Sequence, residues 1–524
     1  MNRQCKKPSR RNILLALATL FLCIFGILFV KGCGKKPPIR AKAVLRSSLA
    51  GKWYPADANT LSEQIATFFQ NAEVEPKNNV IGLILPHAGY AFSGQTAVCG
   101  LSAAGRLTAK TTDQKYKRIV IIGPSHYVSM EEVLSVPRVT HYETLLGQIP
   151  LDVEFIDKLL KYPVFQNVPQ THKLEHSVQI ELPLLQYRRK DFKLVPIVAG
   201  SCSPETITKA SAILKGLIDK ETLVIASSDF VHYGPRFRYA PFTENIPEQI
   251  RKLDMGAYEH IARLNSKGFL EYKEKTGATI CGYIPIAILL SMLDKPAEAE
   301  LIKYITSGEL TGDFSNSVSY LSAAFSGKWQ NHPEIEPQNA ELTEEDKKQL
   351  LTLARQSIIY ALEKRRVPQA SDLGVTISDA MREPRGAFVT LKKNSQLRGC
   401  IGDIFPQRPL YKSVIINAVN AGFRDRRFSP VTKAECSDIT IEISVLTAPE
   451  PISSPNDIRI GIDGVVLNKD GRSAVFLPQV APEEGWDKNQ MLTQLSLKAK
   501  LPGDAWKEGA SFLVFQAIVF GEEE

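Results

Sequence analysis

Short apolar runs alternate with helix-like stretches through the first two thirds of the chain. The four runs with the length of strands are residues 80–86, 118–123, 192–199 and 222–228. The stretch SVQIELPLLQYRRK (177–190) has helical spacing of its apolar residues, and Pro183 predicts a kink or break within it. Strand–helix alternation of this kind predicts an α/β domain built on a mostly parallel sheet.

The last third of the chain has a different pattern. GAFVTLKK, DITIEISVL and GIDGVVLNKDGRSAVFLPQV are β-rich or alternating runs with turn residues between them. Such runs predict antiparallel hairpins. Before them, LLTLARQSIIYALEK has apolar residues at a spacing near 3.6, and Thr343 predicts the N-cap of that helix. We therefore predict that this region is α+β.

Polar, proline-containing stretches divide the chain into segments. GKKPPIRAKAV and GKWQNHPEIEPQNAELTEEDKK read as linkers because they have prolines, charges and no apolar period. The predicted segments are a basic N-terminus (1–12), a hydrophobic anchor (13–30), a linker (31–46), the α/β domain (47–327), a second linker (328–340) and the α+β domain (341–522).

The N-terminal apolar segment predicts a membrane anchor. ILLALATLFLCIFGILFV (13–30) carries no charge and is about long enough to span a bilayer. The following Gly32 and Cys33 resemble a bacterial lipobox, although Lys31 departs from that pattern. We expect a single uncleaved transmembrane helix, with a lipoprotein anchored at Cys33 as the alternative. Basic residues flank both ends of the segment, so the side of the membrane stays open.

Composition narrows the class of protein. The 524 residues are too many for one ordinary core, so at least two domains are expected. The net charge is +8, and the first dozen residues contribute much of it, which favours a membrane surface over nucleic acid. We expect no nucleic-acid binding. The eight cysteines include no CxxC pair, which argues against a disulfide framework or a structural zinc site.

Polar side chains of metal-binding type follow three of the predicted strands, and two more lie elsewhere in the same region. The candidates, all in contexts rich in Gly, Pro, Ser or Asp, are His87, His126, His176, Asp229, His232 and Cys281. Ligands bind at the carboxyl ends of strands in open α/β sheets, and imidazole is the commonest transition-metal ligand. These residues indicate either a metal or catalytic site, or hydrogen-bonded core histidines beside a small buried cysteine.

Seven segments in this region resemble the Memo family. They are GKWYPAD, LPHAGYAFSG, GPSHYV, EHSVQIELPLLQ, SSDFVHYGPRFRY, TICGYIPI and NSVSYLSAAFS. The resemblance implies a fold like that of class III extradiol dioxygenases, which are non-haem iron enzymes. It implies an iron or copper ion on His87, His126 and Cys281. His232 would lie near the metal as general acid/base, with Asp229 and His176 close to the pocket. A thiolate ligand favours copper(I) or a redox role over simple ring cleavage.

The C-terminal region resembles the AMMECR-type domain through QLRGCIG, AGFRDRRFSP and VFLPQVAPEEGWD. Its candidate residues are Arg398, Cys400, Arg424, Asp425 and Arg426. Arg398 beside Cys400 suggests a thiol of lowered pKa that could act as a nucleophile. The arginine run is interpreted either as an internal Arg–Asp network or as an anion-binding pocket. Residues 341–522 contain no histidine, which excludes a Cys–His dyad supplied from within the domain.

Together the two resemblances are to a fusion of the B and A proteins of the AmmeMemoRadiSam system. They imply a radical-SAM protein as partner. This chain has no CxxxCxxC motif, so any radical chemistry would belong to that partner. The hypothesis from sequence is a membrane-anchored protein with metal-dependent redox or modification chemistry and an unidentified substrate. The alternative is a non-catalytic module that binds a peptide or partner and retains the fold.

Overall fold

The first domain is built on a large mixed sheet. The computed structural model of the chain describes residues 42–108, 116–337 and 340–522. Strands of this domain, in chain order, are β1 (Val44–Arg46), β2 (Val80–Leu85), β3 (Arg118–Pro124), β4 (Leu134–Ser135), β5 (His141–Thr144), β6 (Gly147–Pro150), β7 (Phe165–Gln166), β8 (Lys193–Ala199), β9 (Thr222–Ser227), β10 (His232–Tyr233), β11 (Glu298–Thr306) and β12 (Ser317–Ser326).

The direction of the strands changes from the centre of the sheet to its edges. In the described part of the chain, nine strands run in the order β10-β12-β2-β9-β3-β8-β4-β7, with β11 paired to β12. The central strands β2, β9, β3 and β8 are parallel, as predicted. Strands β10, β11 and β12 extend one edge antiparallel, and β4 pairs antiparallel with β8. The prediction of a mostly parallel sheet is therefore wrong for the edges, where short connections such as that between β11 and β12 suit antiparallel pairs.

Helices cover both faces of the central sheet. In chain order they are α1 (Ala58–Gln70), α2 (Gln95–Ala103), α3 (Gly105–Thr108), α4 (Val153–Leu159), α5 (Pro169–Leu174), α6 (His176–Gln179), α7 (Glu181–Arg188), α8 (Pro204–Leu217), α9 (Ile246–Ala262), α10 (Ser266–Thr276), α11 (Tyr283–Met292) and α12 (Ser307–Thr311). Leu85 of β2 lies against Gly100 of α2, whereas Gly82 of β2 lies against Leu289 of α11. Residues 82 and 85 point to opposite faces of a strand, so α2 and α11 flank opposite faces.

The predicted break in this helical stretch is present, and it lies three residues before Pro183. The helical stretch is interrupted at Ile180, between α6 and α7, although the backbone there stays in the helical region (φ −65, ψ −31). Pro183 is the third residue of α7, and the first four backbone N–H groups of a helix have no partner within it. Because Pro183 has no N–H to donate to the carbonyl of Gln179, the last residue of α6, the interruption falls where a proline at this position predicts it.

The second domain is α+β, as predicted. Its strands are β13 (Ala387–Lys393), β14 (Gln396–Asp403), β15 (Ile439–Leu446), β16 (Glu450–Ile452), β17 (Gly464–Lys469), β18 (Arg472–Phe476), β19 (Ser511–Phe515) and β20 (Ala517–Gly521). Within the described residues they form two antiparallel sheets, β14-β13-β15-β20 and β16-β19-β17-β18. Helices are α13 (Glu344–Lys364), α14 (Ala370–Leu373), α15 (Asp379–Arg382), α16 (Leu410–Phe423), α17 (Val480–Glu483) and α18 (Lys488–Lys498). Thr343 caps α13, and its hydroxyl accepts from the backbone N–H of Asp346.

The two domains have separate hydrophobic cores. One core draws its buried residues from 49–325, and the others draw theirs from 350–515. The predicted anchor at 13–30 and the alternative anchor Cys33 lie outside the residues that the structure describes. Within those residues no helix combines the length and apolar character that crossing a membrane requires.

Candidate metal centre

Three strand ends place the site at one edge of the central sheet. His87 follows β2, His126 follows β3 and Asp229 follows β9. These strands are parallel, and β9 lies between the other two. Their carboxyl ends therefore meet at the same edge, which is where open α/β sheets bind ligands. The sequence pattern and the observed topology agree on this point.

Two histidines and a cysteine come together at this edge. His87, His126 and Cys281 offer ligand atoms that all lie within 4.8 Å of one another. The Sγ atom of Cys281 is 3.1 Å from Nε2 of His87. The rings of His87 and His126 have centroids 5.3 Å apart and are nearly perpendicular. Cys281 approaches from the loop that leads into α11, 194 residues after His87 in the chain.

Ser227 fixes the orientation of His87. The hydroxyl of Ser227 donates to the carbonyl of Ser177 (2.6 Å), so it accepts from Nδ1 of His87 at 2.9 Å. This arrangement places the proton on Nδ1 and leaves a lone pair on Nε2, which faces Cys281. Burial holds the pKa of His87 well below its usual range, and nearby histidines add to the effect. His87 is therefore a neutral imidazole, the form that binds metals.

Glu175 fixes the orientation of His126 in a similar way. Its Oε1 lies 2.8 Å from Nδ1 of His126, and its Oε2 accepts from the backbone N–H of His126 at 2.6 Å. Burial alone would raise the pKa of Glu175, but the hydrogen bonds from His126 outweigh it and the pKa is lowered. An ionised carboxylate at Nδ1 leaves Nε2 of His126 free, as in many metal-binding histidines.

The donor set fits a soft transition-metal ion. Burial raises the pKa of the Cys281 thiol well above its ordinary value, and the neighbouring Asp229 raises it further. A buried thiolate at this position therefore needs a compensating cation. Two imidazole lone pairs and one thiolate are ligands that copper, iron and zinc accept. Three protein ligands also leave at least one coordination position open.

The other predicted residues surround this donor set. The backbone N–H of His87 donates to Asp229 Oδ1 at 2.8 Å, and burial raises the pKa of Asp229 to about 6 despite the opposing effect of His232. Nδ1 of His232 donates to the carbonyls of Phe230 (2.8 Å) and Thr279 (2.9 Å), which leaves Nε2 free. His232 is partly exposed, so this nitrogen is accessible.

His176 is part of the same group of rings. Its ring stacks on Trp53 with centroids 4.3 Å apart and lies 4.4 Å from the ring of His126. Burial lowers the pKa of His176 to about 4. His176 is therefore a neutral side chain beside the donor set.

Sequence reasoning did not assign the residues that orient the site. Glu175 was visible as the neighbour of His176, but its bonds to His126 were not. Ser227 looked like the last residue of a buried strand. The sequence signal for Asp254 is an acidic residue on the buried face of α9. Its carboxylate accepts from the backbone N–H of Val231 at 3.0 Å and so supports the segment that carries His232.

Asp254 makes a testable contribution to stability. Burial raises the pKa of Asp254 to about 6, whereas the pKa of an aspartate in an unfolded chain is about 3.9. Between these values the folded chain holds a proton that the unfolded chain has released, so this contribution destabilises the fold as pH rises. We expect the stability of metal-free Asp254→Asn relative to wild type to increase from pH 4 to pH 7, by on the order of 3 kcal/mol. Urea unfolding across this range measures the difference.

Asp294 supplies the matched control, because Lys215 and His332 bond its carboxylate and lower its pKa although burial opposes them. The stability of Asp294→Asn relative to wild type is expected to fall as pH rises. A pH-independent difference for Asp254→Asn would contradict the assignment of a proton to the buried carboxyl.

The loop after His126 also contacts the second domain. Residues 42–524 form one compact unit. The backbone N–H of Glu131 donates to the carbonyl of Gln407 at 2.8 Å, and the Glu131 carboxylate pairs with Lys412 at 2.6 Å. The second domain therefore contacts the loop that follows His126, five residues beyond it.

Cys400 does not have the environment predicted for a nucleophile. Burial raises the pKa of its thiol, and the hydroxyl of Thr390 and the charge of Arg427 only partly oppose this. Arg398 pairs with Glu435 at 2.7 Å and is not among the charges that act on the thiol. The expected lowering of the thiol pKa by Arg398 is therefore wrong.

The arginine run contains an internal ion pair. Arg427 bonds both carboxylate oxygens of Asp425, whose pKa it holds well below the usual range. Asp425 also accepts from the backbone N–H of Cys400 at 2.9 Å. Arg424 and Arg426 are exposed. The contacts thus match the Arg–Asp network, and Arg427 of the same run, which is not among the candidate site residues, supplies its guanidinium.

The described residues also line two surface cavities, of about 410 and 380 Å³, away from the donor set. The first includes Arg118 and Lys193 at the amino ends of β3 and β8, and its charges are largely paired. The second lies in the C-terminal domain beside Arg355. The candidate site is therefore identified by its donors, not by cavity volume.

Comparison with known proteins identifies both domains. The family model described as "Memo-like protein" matches residues 46–324, and the family model described as "AMMECR1" matches residues 351–520. A MEMO1 family protein of Thermococcus onnurineus is 32% identical over 292 residues, covering 53% of this chain and 98% of that protein. A MEMO1 family protein of Methanosarcina mazei is 33% identical over 282 residues, covering 52% and 96%. Protein Mbar_A1807 of Methanosarcina barkeri is 37% identical over 188 residues, covering 35% and 93%. The chain belongs to the Memo family and carries an AMMECR1 domain after its Memo-like domain.

Proposed function

We propose that the Memo-like domain is a metal-dependent redox site that holds one iron or copper ion on His87, His126 and Cys281. The observation that carries this is the approach of the three ligand atoms to within 4.8 Å, with both imidazoles already oriented. Ser227 and Glu175 supply that orientation through the Nδ1 atoms. Such backing residues are typical of metal-binding histidines.

The donor chemistry favours a redox role. The thiolate makes the set softer than two histidines and a carboxylate, which suits copper(I) and redox-active iron. When bound, the ion supplies electron exchange with a small molecule or dioxygen at its open positions. His232 offers Nε2 for proton transfer because its Nδ1 is committed to two carbonyls. Asp229 holds the backbone of His87 in place.

The proposal also includes a membrane anchor and a partner protein. The anchor at 13–30, or lipidation at Cys33, would hold the site at a membrane. A radical-SAM protein would act with it, as the resemblance to the AmmeMemoRadiSam system implies, and any radical chemistry would belong to that partner because this chain has no CxxxCxxC motif. The alternative function is a non-catalytic module that binds a peptide or partner. In that case the exposed side chains of Phe92 and Tyr127 would form part of the binding surface.

Metal content is the direct test. The full chain, purified anaerobically without added metal, is expected to contain close to one iron or copper per chain by elemental mass spectrometry. His126→Ala and Cys281→Ser are expected to lose it, because each removes a ligand. Cys202→Ser is the matched control, since Cys202 is another buried thiol, near the end of β8, and should retain the metal. A chain that stays metal-free and cannot be loaded would overturn the redox proposal and favour the binding module.

A further inference from the structure

A second set of ligand atoms adjoins the first and shares His126 with it. His126, Glu175 and His176 offer donor atoms within 4.8 Å of one another. Glu175 is 1% exposed and His176 is 8% exposed, whereas His126 is exposed, so two of the three donors are buried and the third opens to solvent. Two imidazoles and a carboxylate are a donor combination that first-row metal ions accept.

The separations within this set fit one coordination sphere. Glu175 Oε1 is 2.8 Å from Nδ1 of His126 and 3.4 Å from Nδ1 of His176. Ligand atoms that each lie about 2.0–2.2 Å from one ion are roughly 3 Å from each other. The carboxylate oxygen therefore already stands at ligand-to-ligand distance from both nitrogens.

His176 has a nitrogen without a partner. Its Nδ1 is buried and has no hydrogen-bond partner among the residues that the structure describes. Stacking on Trp53 holds the ring in this orientation. Buried polar atoms normally have a hydrogen-bond partner, so an unpartnered nitrogen that lies near a carboxylate indicates a place for a cation.

The geometry points to a pair of adjoining cation sites bridged by the imidazole ring of His126. Its Nε2 serves the set with His87 and Cys281, and its Nδ1 serves the set with Glu175 and His176. The second ion displaces the proton from Nδ1 to solvent, which leaves an imidazolate between the two cations. The pair rests on the proposed function for its first member, whereas the second site does not require redox chemistry.

The two sites differ in the ions they favour. The Cys281 set is the softer one and suits copper or redox-active iron. The Glu175 set contains a hard carboxylate oxygen and suits a divalent ion such as Zn²⁺. The negative charges of the Cys281 thiolate, the His126 imidazolate and the Glu175 carboxylate offset part of the charge of two ions at this partly buried edge of the sheet.

Zinc stoichiometry tests the shared histidine. The metal-free full chain is saturated with Zn²⁺, freed of excess metal and measured by elemental mass spectrometry. We expect two zinc ions per chain in wild type and one each in His176→Phe and Cys281→Ser. His126→Ala is expected to lose both, because it removes the shared ligand. His176→Phe keeps an aromatic ring on Trp53, and Glu175→Gln is a second variant expected to hold one ion.

The outcomes separate the two proposals. One zinc in wild type, kept in His176→Phe and lost in Cys281→Ser, would overturn the second site and leave the first standing. One zinc that is lost in His176→Phe and kept in Cys281→Ser would overturn the paired arrangement together with the proposed redox centre. His332→Ala controls for surface binding, since His332 is half-exposed and pairs with Asp294. It is expected to match wild type.

Discussion

Oxygen uptake by the iron- or copper-loaded chain, with ascorbate as reductant, is expected to fall to background when Cys281 becomes serine or His87 becomes alanine. Each change leaves only two of the three clustered ligands, and the lost atoms lie 3.1 Å apart at the centre of the set. Loss of a residue that merely backs a ligand costs roughly 10- to 100-fold in metal affinity or activity. Loss of a ligand is therefore expected to exceed that range. An oxygen electrode and a hydrogen peroxide assay measure the rate.

Cys202→Ser is the control for this prediction as well. Cys202 follows β8 at the carboxyl edge of the same sheet, and burial raises the pKa of its thiol, as it does for Cys281. It should leave oxygen uptake at the wild-type rate. If Cys281→Ser and His87→Ala also keep that rate, the ion that reacts with oxygen is bound elsewhere and the assigned centre is wrong.

The position of the histidines was predictable because it depends on local pattern and on one topological rule. Apolar runs ending in His87 and His126 predicted β2 and β3, and parallel neighbours bring their carboxyl ends together. Cys281 differs, because it precedes a helix and reaches His87 across 194 residues. Its place in the set came from family resemblance, since no local period encodes so distant a contact.

The chemistry of the site depends on contacts that sequence reasoning could not supply. The tautomers of His87 and His126 are set by Ser227 and Glu175, which are remote or of ordinary type in the sequence. Cys400 shows the same limit. Arg398 is two residues before Cys400 in β14, but two side chains at this spacing need not contact each other. Arg398 forms an ion pair with Glu435 instead. A charged residue that is close to a thiol in the sequence is therefore not always close to it in the folded chain.

His232→Gln is expected to retain the metal and lose turnover by roughly 10²- to 10⁴-fold, the usual contribution of a general acid or base. Reduction of dioxygen to hydrogen peroxide consumes two protons, which the pocket must deliver. Nε2 of His232 is the free nitrogen, and the charge of His232 is close enough to lower the pKa of His87 and of Asp229, although burial dominates at both. Glutamine keeps a polar side chain of similar length but cannot carry the proton.

Three measurements distinguish proton transfer from a structural role for His232. Metal content should match wild type, because His232 is outside the set of His87, His126 and Cys281. The pH profile of oxygen uptake should lose one limb, and a solvent deuterium isotope effect on the wild-type rate should change in the variant. His260→Gln, on helix α9, should alter none of these. If His232→Gln contains no metal, His232 is a metal ligand. If the variant keeps the wild-type pH profile, His232 only lines the pocket, because loss of a group that transfers the proton must change how the rate depends on pH.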